Sequence, residues 1–212
     1  MEPGERYWNA IDPIWDTIDI DGAESFQSTF NRVPAELGLL YAAHFCQSEV
    51  CNGGFTQFFR NSTGVLAPEA VQGFLAIGQP KVANVVERAI SMLGSPYLRD
   101  RAERWAALDK LDPPSSSGAQ RYRNIELFQP LEDEFYSLLR TEADGFENAA
   151  DRYAAGLGLG STKPVPETDE EPIKKFVGTL SKDEIKSLKN QLSDLKTDLA
   201  KMRQRNTEEP KE

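Results

Sequence analysis

A carboxylate and three carboxamides stand close together in this chain: Glu49, Asn52, Gln57 and Asn61. Such side chains can line a polar pocket or hydrogen-bond backbone left free at a turn. The second use is the expected one, because Gly53-Gly54 interrupts the run. His44, Cys46 and Cys51, just upstream, have zinc-ligating chemistry. A structural zinc site ordinarily takes four ligands, so these three read as buried thiols and a core imidazole, with no metal and no cofactor. The isolated cysteine pair makes no disulfide framework. His44 is the one histidine and sits beside Phe45 in an apolar stretch, which suits packing better than general-base chemistry. Gly53-Gly54 lacks the spaced glycines and lysine of a phosphate loop, and no strand precedes Gly156-Leu157-Gly158-Leu159-Gly160. The expectation is a protein that is not an enzyme.

The elements that must hold these residues are helical. Two adjacent glycines stop the preceding helix, since glycine tolerates positive φ. Phe55, Phe58 and Phe59 follow at i, i+3, i+4, which puts large rings on one helical face. The spacing predicts a helix, a sharp glycine corner and a short aromatic helix locked into a core. Trp8, Ile11, Trp15 and Ile18 predict two short helices broken at Pro13, and Phe26 and Phe30 another turn or two. Pro34, Pro68, Pro80 and Pro96 suit first helical positions, with Gly78 and Gly94 ending the second and third of these segments. Leu93, Leu98, Trp105 and Leu108 supply core contacts around the fourth, and residues 113–118 form a loop. Phe128, Leu131, Phe135, Leu138 and Leu139 make a buried stripe. With no alternating segment of useful length, the fold class is all-α.

The glycine corner carries a resemblance. Asn52, Gly53, Gly54, Phe55, Gln57, Phe59, Asn61 and Gly64 follow the pattern N-G-G-F-x-Q-F/Y-F-x-N with a glycine soon after. This resembles the signature of a bacterial DNA-mimic protein family of all-helical domains. A second segment, Leu131-Glu132-Asp133-Glu134-Phe135-Tyr136, looks like that family's later L-D-x-x-F-Y helix. The resemblance covers roughly residues 5–157. It implies a helical domain and, in the family's best-known member, an acidic dimer that occupies the DNA-binding surface of a transcription regulator.

Charge distribution bears on that implication. Residues 1–160 hold 23 acidic and 13 basic side chains, a net of −10, while residues 161–212 hold 11 of each. The acidic excess therefore belongs to the domain. A globule of ~160 residues is about 40 Å across, and a duplex of that length carries roughly 23 phosphates. One face shows about half of these, so mimicry requires the carboxylates on one side and the arginines elsewhere. Asp12, Asp16, Asp19, Asp21 and Glu24 occur with no base between them, and Glu132, Asp133, Glu134, Glu142, Asp144 and Glu147 lie in a stretch whose one base is Arg140. These eleven form the candidate partner-binding face, provided that the first and last helices are neighbours. Arg88, Arg99, Arg101 and Arg104 gather in the middle segment. The expected partner is a basic DNA-binding protein, with no direct binding to nucleic acid.

The acidic domain is read as residues 1–157, followed by a Pro/Gly/acidic linker over 158–180, a helix over 181–205 and a tail over 206–212. Ser181-Lys182-Asp183-Glu184 is a capping box. Ile185, Leu188, Leu192, Leu195, Leu199 and Met202 then recur at alternating steps of 3 and 4, the apolar seam of a coiled coil. A parallel copy would set Glu184 opposite Lys189 and Asp198 opposite Arg203, both attractive pairs. An alternative function follows: a helical scaffold whose C-terminal helix makes the oligomeric or partner contact, a homodimer being one form of it. Met1–Arg6 is charged and precedes no apolar core, and the longest apolar run falls far short of the ~20 residues of a membrane span, so a cytoplasmic protein with no membrane contact is expected.

Overall fold

A computed structural model describes residues 2–112 and 126–160. Among them are eight α-helices and no strand: α1 (Glu5–Ile11), α2 (Ala23–Phe30), α3 (Ala35–Arg60), α4 (Ala67–Ala76), α5 (Pro80–Ser91), α6 (Arg101–Leu111), α7 (Gln129–Thr141) and α8 (Phe146–Gly156). The all-α expectation holds. The loop at 113–118, the heptad helix with Ile185, Leu188, Leu192, Leu195, Leu199 and Met202, and the tail lie outside the described residues. No helix among those described is long and apolar enough to cross a membrane.

α3 is the axis of the domain, packing against α1, α4, α6 and α7. Most of its first half is enclosed: Leu40, Tyr41, Ala42, Ala43, Cys46 and Val50 are all buried, while Ser48 and Asn52 face solvent. The second half adds Phe55, Phe58 and Phe59, each with no exposed surface. Phe55 meets Phe135 edge-on at 5.5 Å and Phe128 at 6.0 Å, so the stripe on α7 closes over the aromatic helix. Such ring pairs add about 0.5–1.5 kcal/mol each beyond the area they bury. The stripe is as expected, although Leu138 is half-buried and packs at its margin.

Two boundaries differ from the sequence expectation. Pro13 leaves one 3₁₀ turn, Asp12–Ile14, where a second short helix was expected. Pro96 does not open a helix. α6 begins at Arg101 because the Asp100 carboxylate accepts hydrogen bonds from the Ala102 and Glu103 N–H groups at 2.9 and 3.0 Å. A side-chain acceptor at the N-cap satisfies donors that a proline cannot. Pro68 and Pro80 do lie in first turns, and Gly78 and Gly94 follow the ends of α4 and α5.

Carboxylates from distant helices also cap helix starts. Asp151 on α8 accepts from the Gly4 and Tyr7 N–H groups at 2.9 and 2.8 Å, holding the start of α1 against α8. Tyr7 and Phe146 pack edge-on beneath at 5.5 Å. Past α8 the chain stays attached, with Leu159 packed against the core and its carbonyl accepting from Arg6 Nη1. Glu142 does the same for α5, accepting from the Lys81 and Val82 N–H groups at 3.1 and 3.0 Å. A negative charge there meets both the unpaired donors and the positive end of the helix dipole.

His44 sits among rings, with Trp8 at 5.2 Å, Trp15 at 5.8 Å and Phe45 at 5.5 Å, and its Nδ1 lies 3.4 Å from the Tyr7 hydroxyl. Burial lowers its pKa to about 4. The unfolded imidazole titrates near 6.5, so between the two values the unfolded chain holds more protons. Stability from this residue is therefore complete above pH ~6.5 and is lost as pH falls through about 4, a change of ~3 kcal/mol. Urea unfolding of the wild type should lose that increment between pH 7 and 4 relative to His44→Phe. Identical pH slopes for both proteins would show that the imidazole is not buried neutral.

Candidate functional site

The corner in α3 is built by two residues, Gly53 (φ −155°, ψ 25°) and Gly54 (φ 74°, ψ −179°). The second conformation is open only to glycine. It frees the Phe55 N–H from the helical ladder, and Glu132 Oε1 of α7 accepts from it at 2.9 Å. A Cβ on residue 54 would stand 2.2 Å from that oxygen, so the carboxylate and the missing side chain require each other. One turn later on α7, the Tyr136 hydroxyl donates to the Val50 carbonyl at 2.9 Å. The two sequence segments that carried the resemblance thus meet: the acid and phenol of the second bracket the turn made by the first.

Glu132 was expected on the partner-binding face, and this is corrected. It is 2% exposed and spends its charge on the corner. Burial raises its pKa, the Phe55 N–H opposes that shift, and the neighbouring Asp133 adds to it. Glu49, Gln57 and Asn61 also differ from expectation. The amides do not take the freed backbone. Gln57 Nε2 and Asn61 Nδ2 both donate to Glu49 Oε2, at 2.7 and 2.9 Å, and Thr63 Oγ1 donates to Oε1 at 3.0 Å. The freed Phe55 N–H is already taken by Glu132, and the Gln57 and Asn61 amide nitrogens, being donors, need an acceptor, which the Glu49 carboxylate supplies. Asn52 is exposed beside this network, and Phe59 is core. Gly64 lies in a 3₁₀ turn where a Cβ would stand 2.8 Å from the Phe58 carbonyl and 2.9 Å from Arg104 Nε.

That Arg104 contact explains where the arginines went. The last carbonyls of a helix have no internal partner and carry its negative dipole end. Arg104 donates Nε to the Phe59 carbonyl at 2.9 Å, Nη2 to that of Asn61 at 2.9 Å and Nη1 to that of Arg99. Arg101 Nε and the Trp105 indole N–H both reach the Arg60 carbonyl at 2.8 Å. Arg99 pairs with Glu69 through both Nη atoms, at 2.7 and 3.0 Å. Two cations of the middle segment, Arg101 and Arg104, are thereby gathered around the end of α3, and Arg99 is held by α4.

The other named acids divide by surroundings. Asp12, Asp16, Asp19, Asp21 and Glu24 are all exposed, as are Asp133, Glu134, Asp144 and Glu147. Asp19 also stabilises its own loop, accepting from the Asp21 N–H at 2.9 Å. The first and last helices are neighbours, joined through Asp151. Glu147 stands over the start of α1, where it reinforces the effect of burial in raising the Tyr7 pKa to about 12, and Asp16 likewise adds to burial at Tyr41. Glu147 and Asp16, from the two ends of the domain, thus each lie close to a tyrosine of the core. On α7, Glu134 pairs with Arg88 of α5 at 2.8 Å. Asp144 pairs with Arg152 at 3.4 Å. Glu142 is half-buried and serves α5, so it too is corrected from the free face.

Sequence reasoning missed Asp151 and Glu69, because nothing local signals that a carboxylate caps a helix or clamps an arginine far away in the chain. Cys51, read as buried, is exposed, and Cys46 is buried with its thiol pKa raised by desolvation. The family model described as DMP19-like protein matches residues 31–157, which takes in α3 to α8 and leaves α1, α2 and the Asp12–Glu24 acids outside. No curated protein and no solved structure matches the chain.

Proposed function

The chain belongs to the DMP19-like protein family, and from that premise we propose that it is an acidic, non-enzymatic interaction protein, a DNA mimic that docks on a basic DNA-binding protein and competes with DNA. The observation that carries the reading is an excess of exposed negative charge. Asp12, Asp16, Asp19, Asp21, Glu24 and Glu147 are all exposed, while Arg101 and Arg104 donate to carbonyls at the end of α3 and Arg99 is held by Glu69 of α4. Exposed carboxylates that outnumber the arginines left free to pair with them let the domain project a negative potential. Trp8, 42% exposed and stacked near Trp15 at 5.3 Å, adds an aromatic anchor one helical turn from Asp12. Tryptophan is enriched among residues that dominate protein interfaces.

The test uses the immobilised full chain and host lysate at low salt. Short duplex DNA should elute the bound protein, a neutral polymer should not, and the eluted protein should itself retard that duplex on a gel. A captured partner that DNA fails to displace would refute mimicry and leave a scaffold role.

A further inference from the structure

A second feature lies on the other side of the molecule's chemistry. Between the glycine corner and α6 is a cleft of about 440 Å³, lined by Gly53, Thr56, Gln57, Arg60, Asn61, Arg101 and Trp105. That volume is within the ~300–1,000 Å³ of small-molecule sites. Arg60 is only 8% exposed. Its Nη2 donates to Asp109 Oδ1 at 2.8 Å, but Nε and Nη1 have no hydrogen-bond partner. Arg104, one helix away, shows how this fold treats a buried guanidinium with a purely structural role: all three of its nitrogens reach carbonyls. A buried cation with two idle donors is costly to maintain, and an anion that accepts from them removes the cost.

The surrounding charge does not oppose an anion. Arg60 and Arg101 both stand over the Trp105 ring, at 5.9 and 5.4 Å from its centre. Against them stand Asp109, already paired, and Glu49, whose oxygens already accept from Gln57, Asn61 and Thr63. In a chain of net charge −10, the charges here balance, and the donors left without a partner are those of Arg60.

We propose that this cleft binds the oxyanion group, phosphate or carboxylate, of a small molecule, with Arg60 and Arg101 as its donors and Trp105 as its apolar wall. The guanidinium fork suits either oxyanion, since both present coplanar or near-coplanar oxygen pairs. This assignment is independent of the exposed acids and of any mimicry.

The experiment titrates the full chain at low salt with phenyl phosphate, inorganic phosphate and benzoate, read by calorimetry and by the arginine Nε–H resonances in NMR spectra. Saturable binding is expected, with the Arg60 signal shifting most, and the preferred probe names the oxyanion class. Arg101→Ala, at an exposed position, and Arg60→Lys, which keeps a cation for Asp109, should each weaken binding about tenfold, the equivalent of one charge-assisted hydrogen bond. Asp12→Asn should leave it unchanged. Overturning results are absence of saturable binding for all three probes, or affinity that neither arginine substitution alters while both proteins remain folded.

Discussion

Gly54→Ala is expected to destabilise the domain by about 3 kcal/mol, the upper part of the range for backbone held where only glycine is comfortable. Two effects add. Alanine resists φ 74°, ψ −179°, and its Cβ would stand 2.2 Å from Glu132 Oε1. The carboxylate must then swing away, which strips the buried Phe55 N–H of its acceptor. For a domain of this size the loss corresponds to a fall in Tm of roughly 6–12 °C. Glu132→Ala should itself cost about 1–3 kcal/mol through the orphaned donor. Because both substitutions damage the same hydrogen bond, the double variant should be less unstable than the sum of the singles. Thermal melts of the four proteins measure this directly. Strict additivity would mean that the corner and α7 are energetically separate, and the account of the motif would be wrong.

Simultaneous Asp12→Asn, Asp16→Asn, Asp21→Asn and Glu24→Gln should weaken the DNA-displaceable partner captured by this protein by roughly 30-fold or more at low salt. The figure takes about 0.5 kcal/mol for each of four exposed charges, about 2 kcal/mol together, from a range of about 0.2–1 kcal/mol each. Asp19 is left intact because its carboxylate holds the Asp21 N–H. The loss should shrink as salt rises, since the Debye length falls to about 10 Å at 0.1 M. The control is Glu87→Gln with Glu103→Gln, exposed acids on α5 and α6 near the arginines. It should change affinity less than twofold. A loss per removed charge that is equal for the two sets would show that total charge rather than its position matters, and a loss insensitive to salt would show that the contact is not electrostatic. These four acids precede the matched segment 31–157.

Stability and function compete for the same residue type in this protein. Glu132, Glu142, Asp151 and Asp100 are acidic, yet each is committed to a helix start or to the corner. A count of carboxylates therefore overstates the surface available to a partner. Helix N-termini and a cationic ligand both attract carboxylates for the same electrostatic reason, and only the fold assigns each acid to one or the other.

By itself the sequence determined what depends on neighbours along the chain. The i, i+3, i+4 phenylalanines, the Phe128–Leu139 stripe, the prolines of α4 and α5 and the turn at Gly53-Gly54 all act within a turn or two of helix, so periodicity and backbone sterics make them legible. Tertiary structure alone decided which side chain answers which distant backbone group. That Glu132 enters the corner and that Asp151 ties α1 to α8 are facts about pairs far apart in sequence, and that Gln57 and Asn61 turn to Glu49 depends on the bend between them. Their partners are chosen by where packing brings groups together, since a residue's identity says whether it donates or accepts but not which group it meets.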